Sequence, residues 1–238
     1  MASPILREMK HRPPVLAHEK FAESESDFRG LAIDQVFERI HKTNLWGSPD
    51  SVSGLGSALE STARLRHLLP KLLKDLGVRS KLDIPCGDFH WLSQTPLPVD
   101  RYVGADIVEE IVQRNRAAYP QHEFLRLDLC KDDLPKVDLV HCRDCLVHLS
   151  FEHIFQAVRN LKRSGSKWLL TTHFLECPSN ENIATGDWRM LNFELTPFAW
   201  PPPVQVLVEG CDEAGGGYAD KTLALWPIDT IYETVNCL

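Results

Sequence analysis

From residue 81 to residue 174 short apolar runs alternate with helical stripes, and this alternation constrains the fold more than any other feature of the chain. Runs at 81–85, 102–107, 123–129, 137–142 and 168–174 have the length of strands, while 109–119 and 150–163 repeat apolar residues at helical spacing. Strands joined through helices run parallel, because a helix-length crossover returns the chain to the same end of the sheet. The expected fold class is α/β, a Rossmann-like, doubly wound, mostly parallel sheet. Gly165 suits the end of the second helix. Two later runs, 204–209 and 222–226, flank Gly215, Gly216 and Gly217, which predicts an antiparallel hairpin at the sheet's edge.

Upstream, Ile33, Val36, Phe37 and Ile40 form a helical stripe within 31–41, followed by a turn-rich stretch, 44–56, that carries Trp46. Ser57 and Glu60 have the spacing of a capping box, so a helix is expected to open there and pass through Leu65, Leu69, Leu72 and Leu76 to a stop at Gly77. Pro70 should kink it. The first 30 or so residues mix Pro13 and Pro14 with Glu and Ser without periodicity and read as a loosely ordered arm. The expected organisation is an arm and lid segment over 1–56 and one domain over 57–238.

With 43% apolar and 25% charged residues among 238, the chain has the balance of a globular domain with a sizeable core. Its net charge of -7 provides no basic field for nucleic acid or anionic lipid. No run approaches the roughly 18 apolar residues of a membrane span. Arg7, Glu8, Lys10, His11 and Arg12 leave no apolar core for a secretory signal. The seven cysteines, odd in number and irregular in spacing, fit reduced thiols. The expected location is cytoplasmic and the expected partner a small-molecule acceptor; oligomeric state is not legible here.

In an open α/β sheet ligands bind beyond the carboxyl ends of the strands, so the residues that end each run carry the functional signal. The first ends in Asp83-Ile84-Pro85-Cys86-Gly87-Asp88-Phe89, where Gly87 permits a sharp turn and close backbone approach. The second ends in Asp106 and Ile107, at the distance from that turn where a carboxylate accepts the hydroxyls of an adenosine ribose. The third ends in Asp128 and Leu129, suited to the exocyclic amine of adenine. The fourth delivers His141, Arg143, Asp144 and His148 to the same rim.

This pattern resembles the class I methyltransferases that use S-adenosylmethionine. The stretch 82–92 looks like their motif I in a variant Asp-x-Pro-Cys-Gly-Asp form, and 137–150 looks like their motif IV. Pro85 and Phe89 replace the first and third motif glycines, and Pro96 and Pro98 leave room for only a short following helix; both features suit S-adenosylmethionine better than a dinucleotide. The resemblance covers about 57–228 and extends to a lid segment through Trp46-Gly47 and Ser53-Gly54-Leu55-Gly56-Ser57. It implies a seven-stranded sheet and a cofactor site at Asp83, Pro85, Cys86, Gly87, Asp88, Trp91, Asp106, Ile107, Asp128, Leu129, Arg143 and Trp46. The implied reaction is methyl transfer to an oxygen or nitrogen of a small molecule.

Such a transfer needs the acceptor aligned and its proton removed. His148 is the expected base, with Asp144 orienting it or the acceptor. Trp188, Phe193, Phe198 and Trp200 are expected either to line the acceptor pocket or to cover the sheet's edge as ordinary packing, and Arg189 beside Asp187 to hold an anionic group or form a solvated ion pair. Two rival readings stand beside the enzyme. One is a catalytically silent S-adenosylmethionine-binding module that regulates or scaffolds a partner. The other is a metal or redox protein built on Cys142 and Cys145 with His141 and His148.

Overall fold

The computed structural model describes residues 12–46 and 53–233. Five strands run parallel: β1 (Ser80–Asp83), β2 (Arg101–Asp106), β3 (Glu123–Arg126), β4 (Leu139–Cys142) and β5 (Trp168–Phe174). Two more, β6 (Gln205–Val208) and β7 (Lys221–Pro227), pair antiparallel with each other, and β7 pairs antiparallel with β5. The seven-stranded order is β3-β2-β1-β4-β5-β7-β6, so the chain winds outward from β1 to β3 and then returns to the other side of β1. That reversal opens a crevice between the carboxyl ends of β1 and β4, where open α/β sheets bind ligands.

The helices are α1 (Leu16–Ser24), α2 (Ile33–Thr43), α3 (Ala63–Asp75), α4 (His90–Ser93), α5 (Glu109–Ala118) and α6 (Phe151–Arg163). Alternation along each strand divides the core. Leu82, Val103, Ala105, Val140, Cys142 and Leu169 pack on one face with Ile154, Ala157, Val158 and Leu161 of α6. Tyr102, Leu139, Leu170, Leu223 and Leu225 pack on the other with Leu65, Leu69, Leu72 and Leu73 of α3. The same period of two puts Lys81, Asp83, Tyr102 and His141 on the α3 face, with Lys81 opposite Tyr102 and Asp83 opposite His141.

Several local expectations shift. The capping box does not form: α3 begins at Ala63 after Thr62, whose hydroxyl donates back to the Ala58 carbonyl at 2.8 Å, and Ser57 ends a short 3-10 turn, Leu55–Ser57. Pro70 lies inside α3, whose buried leucines anchor the helix on both sides of it. Residues 16–28 are not a loose arm but α1 and a 3-10 turn, because Phe21 and Phe28 stack and pack on Val36 and Ile40 of α2. The third strand stops at Arg126, before Asp128 and Leu129. No described helix is long and apolar enough to cross a membrane. Gly47 lies outside the described residues.

Candidate functional site

A cleft with about 1060 Å³ of empty space, part of it open to solvent, lies over the carboxyl ends of β1 to β4. The β1 turn contributes Asp83, Pro85, Cys86, Gly87 and Asp88, α4 contributes Trp91, and β2 contributes Asp106 and Ile107. Asp128, Leu129, Arg143, Asp144 and His148 complete the floor, and Trp46 joins Phe37, Ile40 and His41 of α2 in the opposite wall. Sequence reasoning did not assign α2 to the site, because an apolar stripe on an amphipathic helix signals burial without naming what is buried against it.

Gly87 is built for close approach. Its φ is +52°, and a Cβ there would lie 2.1 Å from the Ser53 hydroxyl oxygen, so the 53–57 segment rests directly on the turn. The Gly87 N–H donates to Asp106 Oδ2 at 3.1 Å, the Val108 N–H donates to Oδ1 at 3.0 Å, and the Asp88 N–H donates to Ser53 Oγ at 3.1 Å. Burial raises the Asp106 carboxyl to about 6 despite those backbone donors. Asp128 Oδ1 accepts the Cys130 N–H at 2.8 Å, while Oδ2, buried beside the cleft, receives no hydrogen bond and has only the Lys131 ammonium at 3.3 Å. Phe89, at the motif's third glycine position, keeps the left-handed backbone with φ +57° and fits its ring among Tyr102, Tyr119 and Phe124.

Asp83 is the site residue whose surroundings differ most from expectation. His141 Nδ1–H and Lys81 Nζ meet its Oδ1, and the Tyr102 hydroxyl donates to its Oδ2 at 2.9 Å. Burial would raise this carboxyl, but Lys81 and His141 outweigh it and hold the group at about 2. Both oxygens therefore serve a buried cluster inside the sheet.

Arg143 is likewise committed. Its guanidinium clasps Glu209, just beyond β6, at 3.2 and 2.7 Å, donates to the Gly56 carbonyl at 3.0 Å, and lies 3.1 Å from Asp144. Asp144 also receives Lys221 Nζ at 2.8 Å. Burial favours the neutral acid, yet Arg143 and Lys221 prevail and keep Asp144 well below the usual carboxylate range. An acid so firmly ionised is an electrostatic anchor and a poor proton acceptor.

His148 stands apart from these ion pairs. Its Nδ1–H donates to the Asp187 carbonyl at 2.8 Å, which fixes the tautomer and leaves Nε2 as the acceptor. The Trp46 ring lies 4.8 Å away, inclined by 31°. Burial lowers the imidazole to about 4, so it is neutral near pH 7. The Trp46 indole N–H is buried without a hydrogen-bond partner.

A second cavity of about 700 Å³ adjoins the first and shares Trp46, Ser53, Asp144 and His148 with it. Val15, Leu16 and Ala17, Phe174 of β5, Trp188, Tyr218, Glu213 and Lys221 also line it, with 54–56 and Cys211. Of the four aromatics read as pocket or packing, only Trp188 lines it. Phe193, Phe198 and Trp200 are core residues, with Phe193 stacked on Trp200 at 4.2 Å and both against Trp226. Arg189 neither pairs in solvent nor faces a ligand: it donates to the carbonyls of Leu146 at 2.8 Å and Leu149 at 2.6 Å and so braces the turn that carries His148. Among the described residues no group of three or more His, Cys, Asp and Glu side chains could hold a metal ion. Hydrogen bonding with Cys142 and burial raise the Cys145 thiol, the opposite of a reactive thiolate.

No family model and no curated protein matches the chain. Solved structures do. The N-methyltransferase NodS from Bradyrhizobium japonicum WM9 aligns at TM-score 0.53 and 14% identity over 71% of this chain and 96% of its own. The magnesium protoporphyrin IX methyltransferase ChlM from Synechocystis PCC 6803, solved with bound S-adenosylmethionine, aligns at 0.42 and 16% over 65% of this chain and 82% of its own. The sugar N-methyltransferase KedS8 from Streptoalloteichus sp ATCC 53650 aligns at 0.43 and 18% over 56% of each chain. The first structures matched are covered over only 50% to 67% of their own length. Strand order, the antiparallel end of the sheet and the alignment with NodS together show that this chain has the class I methyltransferase fold.

Proposed function

We propose that the chain transfers a methyl group from S-adenosylmethionine to an oxygen or nitrogen of a small-molecule acceptor. The observation that carries this reading is the position of His148, neutral and with Nε2 free of hydrogen-bond partners among the described residues, in the wall common to two cavities. The first cavity suits the cofactor electrostatically. Asp88, Asp106 and Asp128 line it beside the already paired Asp83 and Asp144, and among the described lining residues Arg143 is bound to Glu209 and Asp144, so no unpaired Lys or Arg side chain there is offered to a phosphate. Asp106 would meet the ribose, the buried Oδ2 of Asp128, which receives no hydrogen bond, the adenine amine, and the Gly87 turn the amino-acid end. Trp46 would close the cavity from the side of α2. Bound there, the cofactor would supply an electrophilic methyl group and a thioether leaving group.

From the second cavity His148 Nε2 accepts the acceptor's proton, while Asp187 holds the ring and Arg189 the turn beneath it. Asp144 orients through Lys221 and Arg143 and does not titrate. Calorimetric titration with S-adenosylhomocysteine tests the cofactor, and Asp106→Ala should weaken it by at least an order of magnitude. His148→Ala should leave that affinity within about twofold yet slow turnover of acceptors roughly 10²- to 10⁴-fold, the usual contribution of a general base. Full turnover in His148→Ala removes the base assignment. Binding with no turnover on any acceptor favours the silent module.

A further inference from the structure

We propose that the second cavity recognises an ammonium-bearing molecule with an apolar or aromatic body, through the Glu213 carboxylate and the Trp188–Tyr218 corner. As the identity of the methyl acceptor this rests on the reading above; as a binding site it stands alone.

Around the cavity floor Arg143 and Lys221 face Asp144, Glu209 and Glu213, so one carboxylate is left over. Geometry identifies which one. Arg143 grips Glu209 with two nitrogens, and Lys221 Nζ sits 2.8 Å from Asp144 and 3.7 Å from Glu209. The Glu213 carboxylate makes no hydrogen bond or close ion pair with any described residue, and Lys221 acts on it only from beyond contact. Glu213 Oε1 lies 3.2 Å from the point a Gly56 Cβ would occupy, and Asp144 Oδ2 lies 3.4 Å and Lys221 Nζ 3.6 Å from that same point. The missing side chain leaves a space that two carboxylates and one ammonium border. Burial raises the Glu213 carboxyl although Lys221 opposes it, and a partly buried carboxylate in excess over the cations beside it is stabilised most by a cation that also donates hydrogen bonds.

The same features disfavour an anionic ligand, since Lys221, the Lys or Arg side chain among the described residues lining this cavity, already serves Asp144, and Arg143 behind it serves Glu209. The apolar wall complements the charge. Trp188 and Tyr218 meet edge to face at 5.2 Å and 83°, and Phe174 meets Trp188 at 6.0 Å and 89°. Crossed rings of this kind attract cations through their π faces. Tyr218 already does so on one side, with the Arg12 guanidinium 5.8 Å from its centroid; that guanidinium is neutralised by Asp220 at 2.7 Å and Glu176 at 3.7 Å.

The test compares 2-phenylethylamine, 2-phenylethanol and phenylacetate as ligands of the intact protein, followed calorimetrically with and without S-adenosylhomocysteine. The amine should bind saturably and roughly 10-fold or more tightly than the alcohol, with phenylacetate weakest. Glu213→Gln should weaken the amine roughly 10- to 100-fold, the loss of one charge-assisted hydrogen bond, and leave the alcohol and S-adenosylhomocysteine unchanged. Glu213→Asp, which keeps the charge, should retain the order of preference, and unfolding midpoints of both variants exclude misfolding as the cause. Equal affinity for amine and alcohol, preference for phenylacetate, no saturable amine binding, or an amine affinity indifferent to Glu213→Gln overturns the proposal. A protein that prefers the amine through Glu213 but ignores S-adenosylhomocysteine would sink the methyl-transfer reading and leave this one standing.

Discussion

Beneath the two cavities lie two buried charge clusters that use similar residues differently. Under the first, Lys81, Asp83, His141 and Tyr102 sit on one face of the sheet, sealed from solvent. Lys81 Nζ lacks a well-formed hydrogen bond and burial lowers its affinity for a proton; His141 Nε2 has no partner. Under the second, Arg143, Glu209, Asp144 and Lys221 form a closed circuit in which the guanidinium uses all its nitrogens and only the neighbouring Glu213 remains over. The first cluster owes its composition to strand register, the second to the packing of β6 and β7 against the turn after β4. A saturated network holds a site together, whereas an unsaturated group beside it is where a ligand can add binding energy.

The largest expected effects compare the clusters as structural elements. Arg143→Ala leaves Glu209 buried without its partner and should cost about 3–5 kcal/mol in urea unfolding. Lys81→Met keeps the stem in place and leaves Asp83 bonded to His141 and Tyr102, so it should cost less than about 2 kcal/mol. Equal costs would erase the distinction.

The next effect separates two residues of the first cavity, one of them shared with the second, by the sign of their pH dependence. His148 falls from 6.5 to about 4 on folding, so the unfolded chain binds more protons between those values, and the stability present above 6.5 is lost as pH falls toward 4. Asp106 rises from 3.8 to about 6, so its contribution is present below 3.8 and is lost as pH rises through 6. Asp106→Asn should therefore gain stability relative to the parent between acid and neutral pH, on the order of 1–3 kcal/mol. His148→Gln should flatten the acid limb instead. Urea midpoints measured at several pH values across both windows check the two slopes, and parallel slopes for parent and variants would refute the assignment.

The smallest effect concerns the wall that the cavities share. Trp46→Phe keeps a ring against His148 but removes the unpaired indole N–H. If that N–H meets a ligand oxygen, affinity for S-adenosylhomocysteine or for the acceptor should fall only about 3- to 10-fold, with unfolding unchanged. A loss confined to one ligand would tell which cavity the N–H serves.

Much of the architecture was legible from local pattern. Apolar alternation placed the five parallel strands and the final antiparallel pair, because a strand's side chains alternate whatever surrounds it. The carboxylates and glycine that end those strands converge on one cleft because parallel strands all point the same way. Boundaries were less legible. Ser57 has the right spacing for a cap, but the following turns and the Thr62 hydroxyl moved the helix start to Ala63.

Side-chain roles lay beyond the reach of spacing. Asp83 and Arg143 read as ligands from sequence, yet Lys81, His141 and Tyr102 claim the first and Glu209 the second, partners that register and the returning β6 strand alone bring close. Phe193, Phe198 and Trp200 could not be told from Trp188 by composition, since burial depends on where the chain crosses the sheet. The second cavity is the extreme case. Val15, Ser53, Asp144, Phe174, Trp188, Glu213 and Lys221 share no period and no motif. Periodicity determines which face of an element is buried; only tertiary packing decides which distant groups meet there and which charge is left without a partner.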